Sequence, residues 1–78
     1  MQFQYITTNP KILGGKPIIK GTRISVEFLI ELVISGASLQ EILKKYPHLK
    51  PEAVKEAFQF ASYNLRNDVV LETAAHTA

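Results

Sequence analysis

The sequence predicts a mainly α fold, in which a short N-terminal unit of β-strands and turns precedes a bundle of three helices. Three of the four glycines lie within residues 14–24, and helical spacing of apolar residues starts directly afterwards. Serine or proline stands at each position where a helix would begin. The length of 78 residues corresponds to one domain. We place that domain at residues 1–68, with the β-unit at 1–24, and treat residues 69–78 as a C-terminal tail.

The N-terminal unit centres on the run GGKPIIKGTRI, residues 14–24. Within it, Lys20-Gly21 offers a chain reversal, because glycine can occupy a left-handed turn position. The β-branched isoleucines on both sides of this turn favour short strands. An alternation of Phe3 and Tyr5 with glutamines predicts a further short strand within residues 1–6.

The first helix is predicted over residues 26–35, with Ser25 as its N-cap and Gly36 at its end. Its expected core stripe is Val26, Leu29, Ile30 and Val33. Further apolar residues widen the surface beyond one stripe, and a helix this apolar is buried on more than one side. Because so short a chain buries only about 60% of its surface, we expect a homodimer. The predicted interface residues are Phe28, Leu32 and Ile34.

The second and third helices have clear start signals. Ser38 and Glu41 form a capping box for the second helix, which Pro47 ends. Pro51 suits the first position of the third helix, which we predict to run to Arg66 and to end at residues 67–68. The expected core stripe of the third helix is Val54, Ala57, Phe58, Ala61 and Leu65.

Two helices joined by a four-residue turn, after a supporting helix, are the ingredients of a helix-turn-helix. In that architecture the outer face of the last helix enters the major groove, where glutamine pairs with adenine and lysine reaches guanine or phosphate. An ordinary three-helix domain with solvated polar residues is the alternative. Glu52 and Glu56 favour it, because they place negative charge on the candidate recognition helix. The candidate DNA-binding residues are Lys55, Gln59, Ser62, Lys44, Lys45, Lys50 and Arg23.

Charge and composition narrow the function further. Up to Ser25 the chain has four positive residues and no acidic one, which suits an anionic partner. There is no cysteine, and the two histidines stand alone, so we expect no catalytic site, metal, cofactor or small-molecule ligand. The run Gly14-Gly15-Lys16 lacks the residue order of a phosphate-binding loop. No apolar run approaches a membrane span, so a cytoplasmic location is expected.

The run GKPIIKGTRISV, residues 15–26, resembles the signature of the small bacterial and archaeal family known as domain of unknown function 433. Segments around residues 36–42, 46–49 and 54–58 follow the same pattern, so the similarity covers roughly residues 9–63. Members of that family resemble homeodomain-like helix-turn-helix proteins, and several are regarded as VapB-like antitoxins encoded beside a PIN-like ribonuclease toxin. The resemblance implies a homodimer that binds its own operator and masks the toxin with a segment outside the DNA-binding core. For that segment we predict Val69, Val70 and Leu71.

Two functions therefore stand side by side. One is an antitoxin-type, DNA-binding transcriptional regulator of a toxin–antitoxin module. The other is a protein-interaction module that dimerises and binds a partner protein without binding DNA. The strongly apolar first helix and the acidic residues of the third favour the second function, and salt-dependent DNA affinity separates the two.

Overall fold

The computed structural model describes the backbone of residues 3–76 and the side chains of residues 3–65. It contains a small antiparallel sheet at the N-terminus and, in the described part, three helices, so the predicted mainly α fold with an N-terminal β-unit is confirmed. In this part of the chain no helix is both long and apolar enough to cross a bilayer. The elements are β1 (Ile6–Thr7), a short 3-10 turn (Leu13–Gly15), β2 (Ile18–Ile19), α1 (Val26–Ile34), α2 (Leu39–Lys45) and α3 (Pro51–His76).

The two strands pair with each other, and a tight turn after β2 leads to α1. Ile6 of β1 pairs with Ile19 of β2 in antiparallel register. The chain then reverses, and the Thr22 N–H donates to the Ile19 carbonyl at 3.1 Å. Gly21, at the third position of this turn, has a φ of +77°. A type II turn requires such a positive φ there, so the reversal predicted at this glycine is confirmed.

The segment before β1 is not a strand in residues 3–5, contrary to the prediction. Instead, its backbone N–H and aromatic side chains contact α3. The Tyr5 N–H donates to the carboxylate of Glu56, and the ring of Phe3 meets that of Phe60 edge to face, with 5.0 Å between centroids. The alternating pattern therefore reflects two aromatic side chains that pack against the helical core rather than pairing within a longer strand.

The start of α1 agrees with the sequence, but its last turn does not. The Ser25 hydroxyl accepts a hydrogen bond from the Phe28 N–H at 2.9 Å, as an N-cap does. Leu29 is fully buried, whereas Val33, predicted to belong to the same stripe, is 44% exposed. The buried part of the core cluster does not extend into the last turn of α1. Val33 therefore has the helical spacing of a core residue, but no described element covers it.

The core lies where α1, α2, the sheet and the first turns of α3 meet. Its largest fully buried side chains are Leu29, Ile42 and Val54. Leu65, predicted to continue the core stripe of α3, is 59% exposed. The reason is that α3 is longer than the elements that pack against it, so its apolar spacing outlasts its partners. The buried hydrophobic residues are Ile6, Ile18, Ile19, Val26, Leu29, Ile42, Leu49, Ala53, Val54 and Ala57.

The end of α3 also differs from the prediction. The helix runs to His76 rather than stopping at residues 67–68. Asparagine and aspartate lower helix propensity only modestly, and no glycine or proline follows them to end the helix. The predicted boundary between domain and tail falls inside this helix. The residues predicted to contact a toxin, Val69, Val70 and Leu71, lie outside the residues whose side chains the structure describes.

The capping box of α2 leads to a stability prediction. The Glu41 N–H donates to the Ser38 hydroxyl at 3.1 Å, and the Glu41 carboxylate accepts from the Ser38 N–H at 2.8 Å. We expect Ser38→Ala to lower the free energy of unfolding by about 1 kcal/mol in urea denaturation, because a helix of seven residues depends on its cap. Ser62→Ala, at an exposed position within α3, is the matched control and should leave stability equal or slightly higher. Equal effects of the two substitutions would contradict the role of the cap.

Candidate nucleic-acid interface

The turn between α2 and α3 is held by its own hydrogen bonds and by one buried side chain. The Tyr46 N–H donates to the Ile42 carbonyl at 2.9 Å, and the Leu49 N–H donates to the Tyr46 carbonyl at 3.0 Å. Leu49 is only 5% exposed and belongs to the core. The Lys50 carbonyl then accepts from Ala53 at 3.0 Å, which starts α3. The direction of α3 relative to α2 is therefore set by packing and not by a loose linker.

The outer face of α3 presents the polar row that the sequence predicted. Lys55, Gln59 and Ser62 are all exposed, and their spacing of four and three residues places them on one side of the helix. At a rise of 1.5 Å per residue the row is about 10 Å long. Among the described residues, none of the three side chains has a hydrogen-bond or ion-pair partner. Ala53, Val54 and Ala57, by contrast, are buried.

The two glutamates in the first two turns of α3, whose negative charge counts against DNA binding, lie in different environments. Glu52 is exposed and lies three residues before Lys55. It is in the first turn of the helix, where the helix dipole stabilises a negative charge. Glu56 is half-buried, because its carboxylate accepts the hydrogen bond from the Tyr5 N–H. Only one of the two negative charges therefore lies in the polar row.

Three further candidate lysines lie around the turn, and all are exposed. Lys44 and Lys45 occupy the last turn of α2, where the helix dipole stabilises positive charge. The Lys45 ammonium lies 5.9 Å from the centroid of the Tyr46 ring. Lys50 directly precedes α3. With Lys55, these lysines give residues 44–59 four positive charges against two glutamates. One of the two, Glu56, accepts a hydrogen bond from the Tyr5 N–H.

Arg23 belongs to the β-unit and not to α2 or α3. It lines a cleft of about 650 Å³ between the β-unit and α1, together with Phe28, Tyr46 and an ion pair. In that pair the Lys16 ammonium is 2.6 Å from the Glu27 carboxylate, and the hydrogen bond between them raises the pKa of Lys16. None of the candidate lysines of α2 and α3 lines this cleft. The structure therefore places six of the seven candidate residues on or next to α2 and α3, and Arg23 on the β-unit.

The predicted dimer-interface residues are not equally available. Phe28 is half-buried and packs edge to face on Tyr46, with 6.0 Å between ring centroids. Leu32 is half-buried against the core. Ile34, however, is 78% exposed and adjoins the exposed Val33. The apolar surface at the end of α1 thus consists mainly of these last two residues, and the homodimer stays a prediction.

A second, smaller cleft of about 200 Å³ joins the turn of the β-unit to the turn between α2 and α3. Lys20 and Lys50 both line it, although they are thirty residues apart in the sequence. Sequence reasoning did not group Lys20 or His48 with the candidate interface. No local pattern indicates this grouping, since it arises only when the sheet packs against the start of α3.

Comparisons with known proteins agree with this fold. The model of the family described as protein of unknown function (DUF433) matches residues 6–61. The uncharacterized protein y4eO of Sinorhizobium fredii is 34% identical over 61 residues, which cover 78% of this chain but only 28% of that relative. A crystal structure of a DUF433 member protein from Anabaena variabilis matches with a TM-score of 0.76 and 32% identity, over 81% of this chain and 62% of that one. The chain therefore belongs to the DUF433 family.

Proposed function

We propose that this protein is a cytoplasmic, homodimeric DNA-binding regulator of the antitoxin type. In this proposal α2 and α3 form a homeodomain-like helix-turn-helix, and α3 is the recognition helix. The observation that carries the proposal is the exposed row of Lys55, Gln59 and Ser62, whose side chains have no partner among the described residues. We assign the protein no enzymatic activity, cofactor or small-molecule ligand.

The row has the dimensions and the chemistry for the major groove. An α-helix with its side chains is about 10–12 Å across, and the major groove is about 12 Å wide. Gln59 can pair with an adenine through two hydrogen bonds, and Lys55 can donate to guanine or to phosphate. Glu52, the one carboxylate of the row, can accept from the amino group of cytosine. Glu56, whose carboxylate accepts from the Tyr5 N–H, keeps its negative charge and lies beside the row rather than in it.

The lysines around the turn support the proposal through charge. Lys44, Lys45 and Lys50 are exposed beside the start of α3, where they can neutralise backbone phosphates. Such contacts position a protein on the duplex and carry no sequence information, whereas the row on α3 would read the bases. Arg23, on the β-unit, is a separate candidate for a phosphate contact.

The length of α3 supports the antitoxin part of the proposal. Among the residues whose side chains the structure describes, Ala61 is the last of α3 in the core cluster, and Tyr63 still meets the ring of Phe3 edge to face. The helix continues to His76, and the backbone of this extension after Tyr63 is thirteen residues, about 20 Å, long. Isolated helices of this length are marginal in water, so a partner that packs on the extension would stabilise it. We propose a PIN-like ribonuclease toxin as this partner, with Val69, Val70 and Leu71 in the contact.

The decisive experiment is a fluorescence-anisotropy titration of the protein against a duplex from its own upstream region and against a scrambled duplex, at two salt concentrations. We expect tighter binding to the upstream duplex, because side chains of α3 distinguish bases. We also expect binding to weaken steeply with salt, since phosphate contacts release counterions. Absence of binding to either duplex at low salt would refute the DNA-binding proposal.

A second candidate function is a protein-interaction module without DNA affinity. The observation that favours it is exposed apolar surface: Ile34 is 78% exposed, Leu65 59% and Val33 44%. This function predicts no binding to duplex DNA, together with a stable complex with the product of a neighbouring gene in size-exclusion chromatography. A complex that forms beside specific DNA binding would instead support the regulator.

A further inference from the structure

The cleft between the turn of the β-unit and the turn before α3 is lined by basic side chains from both turns. Lys20 comes from the first turn, and His48 and Lys50 come from the second. No carboxylate belongs to the lining, although the Glu56 carboxylate lies next to it on the N–H of Tyr5, so the two lysines are the charged groups of the lining itself. The remaining lining residues are Tyr5, Ile19, Thr22, Leu49 and Ala53.

The two lysines of this cleft are available for a ligand. Both are exposed, and neither forms an ion pair or hydrogen bond through its side chain with the described residues. Lys16 of the same β-unit, by contrast, is bound to Glu27. The Thr22 hydroxyl already has two hydrogen bonds. It donates to the Ile19 carbonyl at 2.8 Å and accepts from the Ile24 N–H at 3.0 Å. A ligand would therefore meet the two ammonium groups and the imidazole.

The backbone on both sides of the cleft is held in place, by a hydrogen bond on one side and by the core on the other. The Lys20 N–H donates to the Tyr5 carbonyl at 2.8 Å, which ties the turn to the start of the sheet. On the other side, Leu49 lies between His48 and Lys50 and is buried in the core, as is Ala53 beneath them. Because the backbone on both sides is held before any ligand arrives, little ordering of the chain opposes binding.

We propose that this cleft binds one backbone phosphate of duplex DNA, with Lys20 and Lys50 as the charged contacts and His48 as a hydrogen-bond donor. The assignment rests on the proposed function and deepens it, because it makes the β-unit part of the DNA interface. Lys50 immediately precedes α3, and Lys55 of the polar row lies five residues further along. The cleft therefore holds the duplex backbone beside the end of α3 that enters the groove. Lysine is suited to phosphate as a compact charge with three donors.

The assignment is tested by Lys20→Ala and Lys50→Ala in the same anisotropy titration, with Lys11→Ala as the matched control. Lys11 is exposed on the same N-terminal unit, lies outside this cleft and carries the same charge. One phosphate contact contributes about 0.9 to the slope of affinity against salt. Each single variant should therefore weaken binding by part of that contact, and the double variant Lys20→Ala/Lys50→Ala, which removes both charges from the one phosphate, should bind about eightfold more weakly at 0.1 M salt. The slope of the double variant should fall by about 1, with the preference for the upstream duplex unchanged. Lys20→Arg should bind within about twofold of the unaltered protein, because it keeps the charge.

The phosphate contact and the DNA-binding activity can be refuted separately. If the unaltered protein binds DNA but Lys20→Ala and Lys11→Ala share one affinity and one salt slope, the cleft does not hold a phosphate and the regulator proposal stands. If the unaltered protein binds no DNA, both proposals fall before any variant is made. Neither lysine contributes a side chain to the buried core, so the variants should keep the circular dichroism spectrum of the unaltered protein.

Discussion

Replacing Leu29 by alanine is expected to lower the free energy of unfolding by about 3–4 kcal/mol. Leu29 is fully buried and belongs to the cluster that joins α1, α2, α3 and the sheet. Its truncation removes burial of several carbon atoms and leaves a cavity in the core, for which the described side chains supply ten buried hydrophobic residues. A domain of this size has a total stability of about 4–12 kcal/mol, so the loss is a large share of it. Urea denaturation followed by circular dichroism measures the change.

Ile34→Ala is the matched control for that prediction. Ile34 lies on the same helix, removes a similar volume when truncated, and is 78% exposed, so its loss should change stability by less than about 0.5 kcal/mol. Both variants should be measured at two protein concentrations, since a homodimer that uses Ile34 would make its effect depend on concentration. Similar losses for the two substitutions, independent of concentration, would contradict the position of the core.

Replacing Gln59 by alanine is expected to weaken binding to the upstream duplex about tenfold to a hundredfold, with little change for the scrambled duplex. The reason is that a bidentate pair between glutamine and adenine contributes about 1–3 kcal/mol of discrimination between bases. Lys55→Ala should weaken binding to both duplexes if the lysine contacts phosphate, and mainly to the upstream duplex if it contacts guanine. Anisotropy at one salt concentration measures both variants.

Gln40→Ala is the matched control for Gln59. Gln40 is exposed, lies near the start of α2 and is not part of the polar row on α3. Its replacement should leave both affinities unchanged. If Gln59→Ala keeps the full preference for the upstream duplex while the unaltered protein binds it specifically, then α3 does not read the bases through this residue, and the recognition surface lies elsewhere.

Short-range signals in the sequence predicted the element starts well. Ser25, the pair of Ser38 and Glu41, and Pro51 all mark the beginnings of helices as expected. Gly21 takes the positive φ that its turn needs. These features depend on hydrogen bonds between residues two to four apart and on the freedom of a single backbone, so tertiary packing has little influence on them.

Features that depend on distant partners were predicted less well. Phe3 and Tyr5 alternate like a strand, but they lie against α3. Leu65 has the spacing of a core residue, yet no described element covers it. Glu56 looks like a surface residue of an amphipathic helix, yet it binds the Tyr5 N–H, 51 positions away. In each case the local pattern describes the residue's own segment. It does not indicate which distant segment, if any, packs against that residue.

By itself, the sequence determined the mainly α class, the starts of the helices, and the row of Lys55, Gln59 and Ser62 on one side of α3, because periodicity and capping act within a few residues. Only the tertiary structure decided which surfaces meet. It joined Glu56 to the Tyr5 N–H, placed Arg23 in a cleft with Tyr46, and brought Lys20 and Lys50 into one cleft. These contacts form because burying Leu29, Ile42 and Val54 in one core fixes how the helices and the sheet pack, and the surface clefts follow from that packing.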